Sequence, residues 1–174
     1  MNIFYLSHDP LEAAQWMVDR HVVKMILESA QLLSTAHRLL DGEPILEDKK
    51  KRYVLGDSRE AVLYSATHIN HPSAIWARGS VENYNWLVDH FFALMGEYNY
   101  RYGKEHKCFG ELSYMLQSPP NNLNDFDWTD MPSAMDEKYK ISSDPIMNYR
   151  NYYKYGKQHL HKWTKRNPPT WLKV

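Results

Sequence analysis

Over most of the chain the apolar residues recur at helical rather than strand-like spacing. The densest run covers residues 19–33. There Val22, Val23, Met25, Ile26, Leu27, Leu32 and Leu33 leave only one narrow face for His21, Lys24, Glu28 and Gln31, which follow at offsets of three, four and three. A surface helix has a broad polar face and a narrower apolar one. Here the proportions are reversed, which predicts a largely buried helix carrying a single polar stripe. Lining up an imidazole, an ammonium and a carboxylate inside a core is costly unless they pair or face a wet cleft. The stripe therefore reads either as an active-site floor or as an i, i+4 Lys24–Glu28 pair beside a satisfied core histidine.

The remaining elements follow from breakers and caps. Asn2 to Leu6 is a short apolar run suited to an extended segment docked on the core. Asp9-Pro10 reads as a helix start, with Asp9 as N-cap and Glu12 completing a capping box. The next breaker is Asp41-Gly42, so one long helix is expected from about Pro10 to about Leu40, kinked or split near Asp19-Arg20. Residues 41–57 read as a polar loop whose charge run is solvated. A helix is expected over Ser58–Thr67, then a turn at His68–His71, because Pro72 disfavours helix before it. Pro72 opens a short helix bearing Trp76 and Arg78. Val81, Tyr84, Trp86, Leu87, Phe91, Leu94, Met95 and Tyr98 mark a long amphipathic helix that ends at Tyr102-Gly103-Lys104. A shorter helix over about Cys108–Leu116 stops before Pro119-Pro120, and a long loop with Phe126, Trp128 and Met131 fills about 118–143. A last helix should run from Ser143-Asp144-Pro145 to about Trp163. Strand signal is sparse. The expected class is all-α: one domain over residues 1–174, of five to six helices around a long central N-terminal helix, with a basic aromatic C-terminal helix and tail over about 144–174.

Composition narrows the function classes. At 174 residues one domain with a real core is expected, and 21 basic against 21 acidic residues leave no global charge to predict nucleic-acid or membrane binding. The single Cys108 excludes an internal disulfide framework and suits a reducing compartment. No basic leader followed by a long apolar run opens the chain, and no segment approaches the roughly 20 apolar residues that span a bilayer. A soluble cytoplasmic protein without a membrane partner is expected. Oligomeric state is not legible.

Local charge carries more. From Asp144 onward, Arg150, Lys154, Lys157, Lys162, Lys165, Arg166 and Lys173 stand against the single acid Asp144, interleaved with Tyr149, Tyr152, Tyr153, Tyr155, Trp163 and Trp171. Basic side chains neutralise phosphates while aromatics stack on unpaired bases, so this segment is a candidate DNA-binding surface. The bland alternative is that the tyrosines pack the helix onto the core. A second cluster, His68, Asn70, His71, Ser73 and Arg78, lies in a turn ahead of a helix and is a candidate phosphate or substrate site, or else ordinary cap chemistry. His21, Glu28, His68 and His71 are of zinc-ligand type, but no HExxH motif accompanies them, and neither metal nor other cofactor is expected. Cys108 has no patterned catalytic partner, and no glycine-rich phosphate loop is present.

The order of these features resembles the small all-α pyrimidine-dimer DNA glycosylase/AP lyases of phages and bacteria. A short N-terminal run precedes a helix with His and Glu seven apart (His21 and Glu28). A turn with Asn70-His71-Pro72 follows, then an aromatic helix ending in Glu97-x-x-x-Arg101-Tyr102-Gly103, and finally Pro169-Thr170-Trp171. The match covers about half the chain. The sequence is also similar to proteins of tailed phages, which would place it in the host cytoplasm. The resemblance implies that an N-terminal α-amine attacks the sugar C1′ and displaces the base, that Glu28 is the catalytic carboxylate, and that His21 and Arg78 contact phosphate or sugar. This sequence departs from the pattern where Met1 precedes the bulky Asn2 instead of a small residue. Lys24 could supply the amine if burial disfavours its protonated form, or Glu28 could activate a water.

The expected function is thus a DNA glycosylase-like enzyme acting on the N-glycosidic bond of a damaged or modified nucleotide. Glu28, Lys24 and His21 would be catalytic, Gln31 and the 68–78 cluster would bind substrate, and the C-terminal segment would hold DNA. Two alternatives use the same residues: an enzyme on free nucleotides, and a non-catalytic DNA- or protein-binding module.

Overall fold

In the computed structural model, which describes residues 1–173, Asp9 caps the first helix as its sequence predicts, accepting from the backbone N–H groups of Leu11 and Glu12. Glu12 does not close a capping box. Its carboxylate instead accepts from the Ser7 hydroxyl at 2.5 Å. The long helix expected from Pro10 is two helices, α1 (Pro10–Trp16) and α2 (Asp19–Asp41), separated by extended backbone at Met17 and Val18. The break has a tertiary cause. The buried Arg101 guanidinium donates to the carbonyls of Gln15 and Met17, both at 2.9 Å, taking acceptors that a continuous helix would use itself.

Helix α2 packs against α4 (Pro72–Ala77), α5 (Val81–Tyr102) and α6 (Glu111–Leu116), while α1 packs on α5. Ser80 caps α5 by accepting from the Asn83 N–H, and Gly103 ends it in the left-handed region at φ 63°. Buried side chains from α1, α2, α4 and α5 join the N-terminal residues Ile3–Leu6 in one hydrophobic core. His37 ties three helices together. Its Nε2 meets the Tyr84 hydroxyl at 2.8 Å, and that hydroxyl donates to the Leu116 carbonyl.

Three expectations are corrected. The fold is mostly helical but not purely all-α, because residues expected to loop form an antiparallel hairpin, β1 (Glu43–Glu47) and β2 (Lys50–Val54). Asp48 and Lys49 both take positive φ at its two-residue turn, which matches the twist of the flanking strands. The helix expected over 58–67 shrinks to α3 (Arg59–Val62), since Arg38 takes the Leu63 and Tyr64 carbonyls and Thr67 pairs with Thr35. The last helix, α7 (Pro145–Asn151), widens at Tyr152–Gly156 and stops well before Trp163. There the Tyr152 and Tyr139 rings pack against Gly156 so closely that a Cβ would lie 2.5 Å from Tyr152. The long segment 118–143 is irregular apart from one short turn at Glu137–Tyr139. Among the described residues no helix is long and apolar enough to cross a membrane.

Two buried charge patterns predict stability. Arg101 also pairs with the buried Glu97 at 2.7 Å and with the half-buried Asp19 at 2.9 Å. Removing one partner of such a cluster leaves uncompensated buried charge, so Arg101→Ala is expected to cost about 3–5 kcal/mol in urea unfolding. Burial pushes His21 down to about 3 and both His37 and His90 to about 4. An unfolded histidine titrates near 6.5. Between about pH 6.5 and 4 the unfolded chain therefore binds protons that the folded chain does not. Stability should be greatest above pH 6.5 and fall steadily toward pH 4, as urea midpoints across that range will read.

Candidate active site

The N-terminal residues reach Glu28 through a strained turn. Phe4 adopts φ 57°, unusual for a bulky residue. Asn2 holds this conformation: its Oδ1 accepts from the N–H groups of Ile3 and Phe4, and its amide donates to the Ala134 carbonyl at 2.9 Å. The Phe4 ring stacks on His21 at a centroid separation of 4.1 Å. With the turn fixed, the Asn2 N–H donates to Glu28 Oε2 at 2.9 Å, and the Met1 amine lies 3.8 Å from the same oxygen. Lys24 Nζ approaches the other oxygen, Oε1, at 3.3 Å. Glu28 is thus a buried carboxylate with an amine on one side and an ammonium on the other.

The predicted stripe divides. Glu28 is buried. Lys24 is 64 % exposed at its side chain, so the burial that would have readied its amine for attack is absent. His21 is buried, neutral at physiological pH, stacked on Phe4 and hydrogen-bonded to the Tyr153 hydroxyl at 2.6 Å. That arrangement suits support of the N-terminal turn, not contact with a phosphate. Gln31 is half-buried one turn beyond Glu28.

The turn ahead of α4 also divides. His71 caps α4, its Nδ1 accepting from the Ser73 N–H at 3.1 Å. Burial and then the Met1 amine lower its pKa, while Glu28 acts in the opposite sense, which puts its ring within electrostatic reach of both. Ser73 is buried, and its hydroxyl has no hydrogen-bond partner. Arg78 donates to the Ile69 carbonyl at 2.8 Å, and Asn70 is exposed. His68 faces a separate cavity of about 350 Å³ beside Arg38 and Arg52. The would-be zinc set is dispersed accordingly, and among the described residues no group of three or more His, Cys, Asp or Glu could hold a metal ion.

Glu28 lies on the wall of a groove of about 790 Å³. Helix α2 contributes Arg20, Val23, Lys24, Leu27 and Gln31 to it. The facing wall is Tyr102 at the end of α5, followed by His106 and Lys107, with Lys162 and Thr164 from the C-terminal segment. Asp19 holds the two walls together: it pairs with Arg101 and accepts from both the N–H and the hydroxyl of Thr164. Burial alone would raise the Asp19 pKa, but the Thr164 hydrogen bonds and Arg101 hold it below the ordinary carboxylate value.

Most of the basic C-terminal residues serve packing. Arg150 donates to the Leu6 carbonyl and lies over Trp16, and Lys157 lies over Tyr152 and Phe4. Lys165 donates to the Tyr100 carbonyl, Arg166 pairs with Glu97, and the Trp163 indole donates to the Trp16 carbonyl. Lys154 lies over the Tyr155 ring. Of this set only Lys162 reaches the groove. The N-terminal amine that the resemblance implied lies at Glu28. Residues the sequence did not single out as site residues are Arg20, His106 and Lys107 in the groove. Arg20 carried a usable signal, four residues before Lys24 on one helix face; the others carried none.

No family model, no curated protein and no solved structure matches the chain. The site can be checked through its support. Tyr153→Phe removes the partner of a buried imidazole nitrogen and should cost about 1–3 kcal/mol in denaturant unfolding.

Proposed function

We propose that the protein acts on the N-glycosidic bond of a damaged or modified nucleotide in DNA, with Glu28 as the catalytic carboxylate. The observation that carries this reading is the juxtaposition of the Met1 amine and the Glu28 carboxylate at 3.8 Å, in a buried setting beside an accessible groove. Cleaving a glycosidic bond needs a nucleophile at C1′ and a group that manages its proton. Met1 is favoured over Lys24 as the amine because it is buried with Glu28, where it can be held against a bound sugar, whereas the Lys24 side chain is 64 % exposed.

In this reading Glu28 takes a proton from the Met1 ammonium. The freed nitrogen lone pair bonds to C1′ as the C1′–base bond breaks, and the departing base carries away the bonding pair and is protonated from solvent. The attached nitrogen then releases a second proton to solvent, and its lone pair forms a protonated imine with C1′ as the C1′–O4′ bond breaks, O4′ taking the bonding pair and the proton held by Glu28. The Asn2 N–H and Lys24, both on Glu28, hold the carboxylate in place. His21 acts at one remove, by supporting the Phe4 turn that carries the amine. Reaching C1′ in a duplex requires the nucleotide to leave the stack.

Borohydride trapping on abasic DNA, followed by peptide mass spectrometry, tests this directly. The expected adduct lies on the N-terminal peptide, survives Lys24→Ala and is lost in Glu28→Gln, whose fold should be intact by circular dichroism. Base release by Glu28→Gln at the wild-type rate would exclude the assigned carboxylate. An adduct on Lys24 would exclude the assigned amine.

A further inference from the structure

The groove beside Glu28 has a composition that no catalytic step explains. Three of its cations, Arg20, Lys107 and Lys162, have no acidic partner among the described residues. The two carboxylates on its wall are already engaged, Asp19 by Arg101 and Thr164, and Glu28 by Lys24 and the Met1 amine. Between the cations the surface is apolar: Val23, Leu27 and the half-exposed ring of Tyr102. That ring is braced, because Tyr98 packs against it at 5.2 Å with a tilt of 57° and against His106 at 5.2 Å. Unpaired cations repel one another and gain from a polyanion, while a braced aromatic face offers a stacking platform. Phosphates with unstacked bases between them satisfy both features at once. An acidic peptide would satisfy only the first, and an apolar ligand only the second.

We propose that this groove binds a short single-stranded stretch of DNA, with a base stacked on Tyr102 and the flanking phosphates on Arg20, Lys107 and Lys162. The inference rests on the reading of Glu28 as acting on a nucleotide in DNA, since it supplies the strand on which that carboxylate works. It also moves the strand-holding surface from the C-terminal helix to the seam between α2 and the end of α5. The hairpin lysines, which are exposed away from this seam, have no part in it.

Fluorescence anisotropy with labelled oligothymidylate tests the proposal without any reaction, because the probe carries no lesion. The wild-type protein should bind it with an affinity that falls as salt rises. The double variant Lys107→Ala/Lys162→Ala should bind about tenfold or more weakly, with the log–log salt slope reduced by about two. Tyr102→Ala should lose about tenfold at an unchanged slope, and Tyr102→Phe should retain binding. Lys50→Ala/Lys51→Ala on the hairpin should leave binding as it was. The proposal is overturned if the groove variants bind like wild type, or if the hairpin variant loses as much as they do. It is equally overturned if thymidine monophosphate or polyglutamate competes as well as the oligonucleotide. Strand binding through the groove with no base release from any substrate would leave the groove standing and defeat the catalytic reading. Base release with unaltered strand binding by the groove variants would do the reverse.

Discussion

The buried guanidinium of Arg101 is the constraint around which the site is assembled, because a charge withdrawn from water must find partners and here it finds them in four different places. The carbonyls of Gln15 and Met17 are drawn to it, and the chain breaks between α1 and α2. Asp19, the first residue of α2, is drawn to it as well, and so that helix begins at the end of α5. Asp19 and Glu97 then use their remaining lone pairs on Thr164 and Arg166 of the C-terminal segment. One ion cluster thereby fixes the start of α2, the end of α5 and the path of the tail. The groove lies between those three elements. Its walls keep their spacing because each is bonded to a member of the cluster.

A second constraint acts at the other end of the site. A left-handed backbone at Phe4 is unfavourable on its own and persists only when its surroundings over-determine it. Asn2 supplies three hydrogen bonds to the turn and its neighbourhood, and His21 supplies a stacked ring. What this strain secures is the position of two nitrogens, Met1 and Asn2, on one oxygen of Glu28. The imidazole that the helical pattern made conspicuous thus works through Phe4, while the carboxylate seven residues later faces the amine. Two residues on one stripe have opposite surroundings, one dry and aromatic, the other open to a charged groove.

Particular elements show how far the sequence could be read. The starts of α1, α4 and α5 were legible because a cap is a local event: Asp9-Pro10, His71-Pro72 and Ser80 meet their partners within three residues. The burial of Glu28 was legible because apolar residues fill most of the helix outside its one narrow polar stripe. The hairpin was not, since Glu43–Val54 has no alternating apolar face and both of its strands are largely exposed. The C-terminal charge was visible but misleading. Composition cannot tell a lysine lying over a tyrosine on its own tail from one awaiting a phosphate, and in this segment most of the cations are already engaged.

By itself, then, the sequence determined the helical class, the capped starts of its helices and the polar stripe with Glu28 in it, since each is written in residues three or four apart. The tertiary structure alone placed the Met1 amine beside Glu28, opposite Lys24, and decided which residues wall the groove. Met1 meets Glu28 across 27 positions, and Tyr102 and Lys107 face α2 from the far end of another helix. Nothing periodic links them. They come together because a buried arginine and a strained N-terminal turn require partners that only distant parts of the chain can provide.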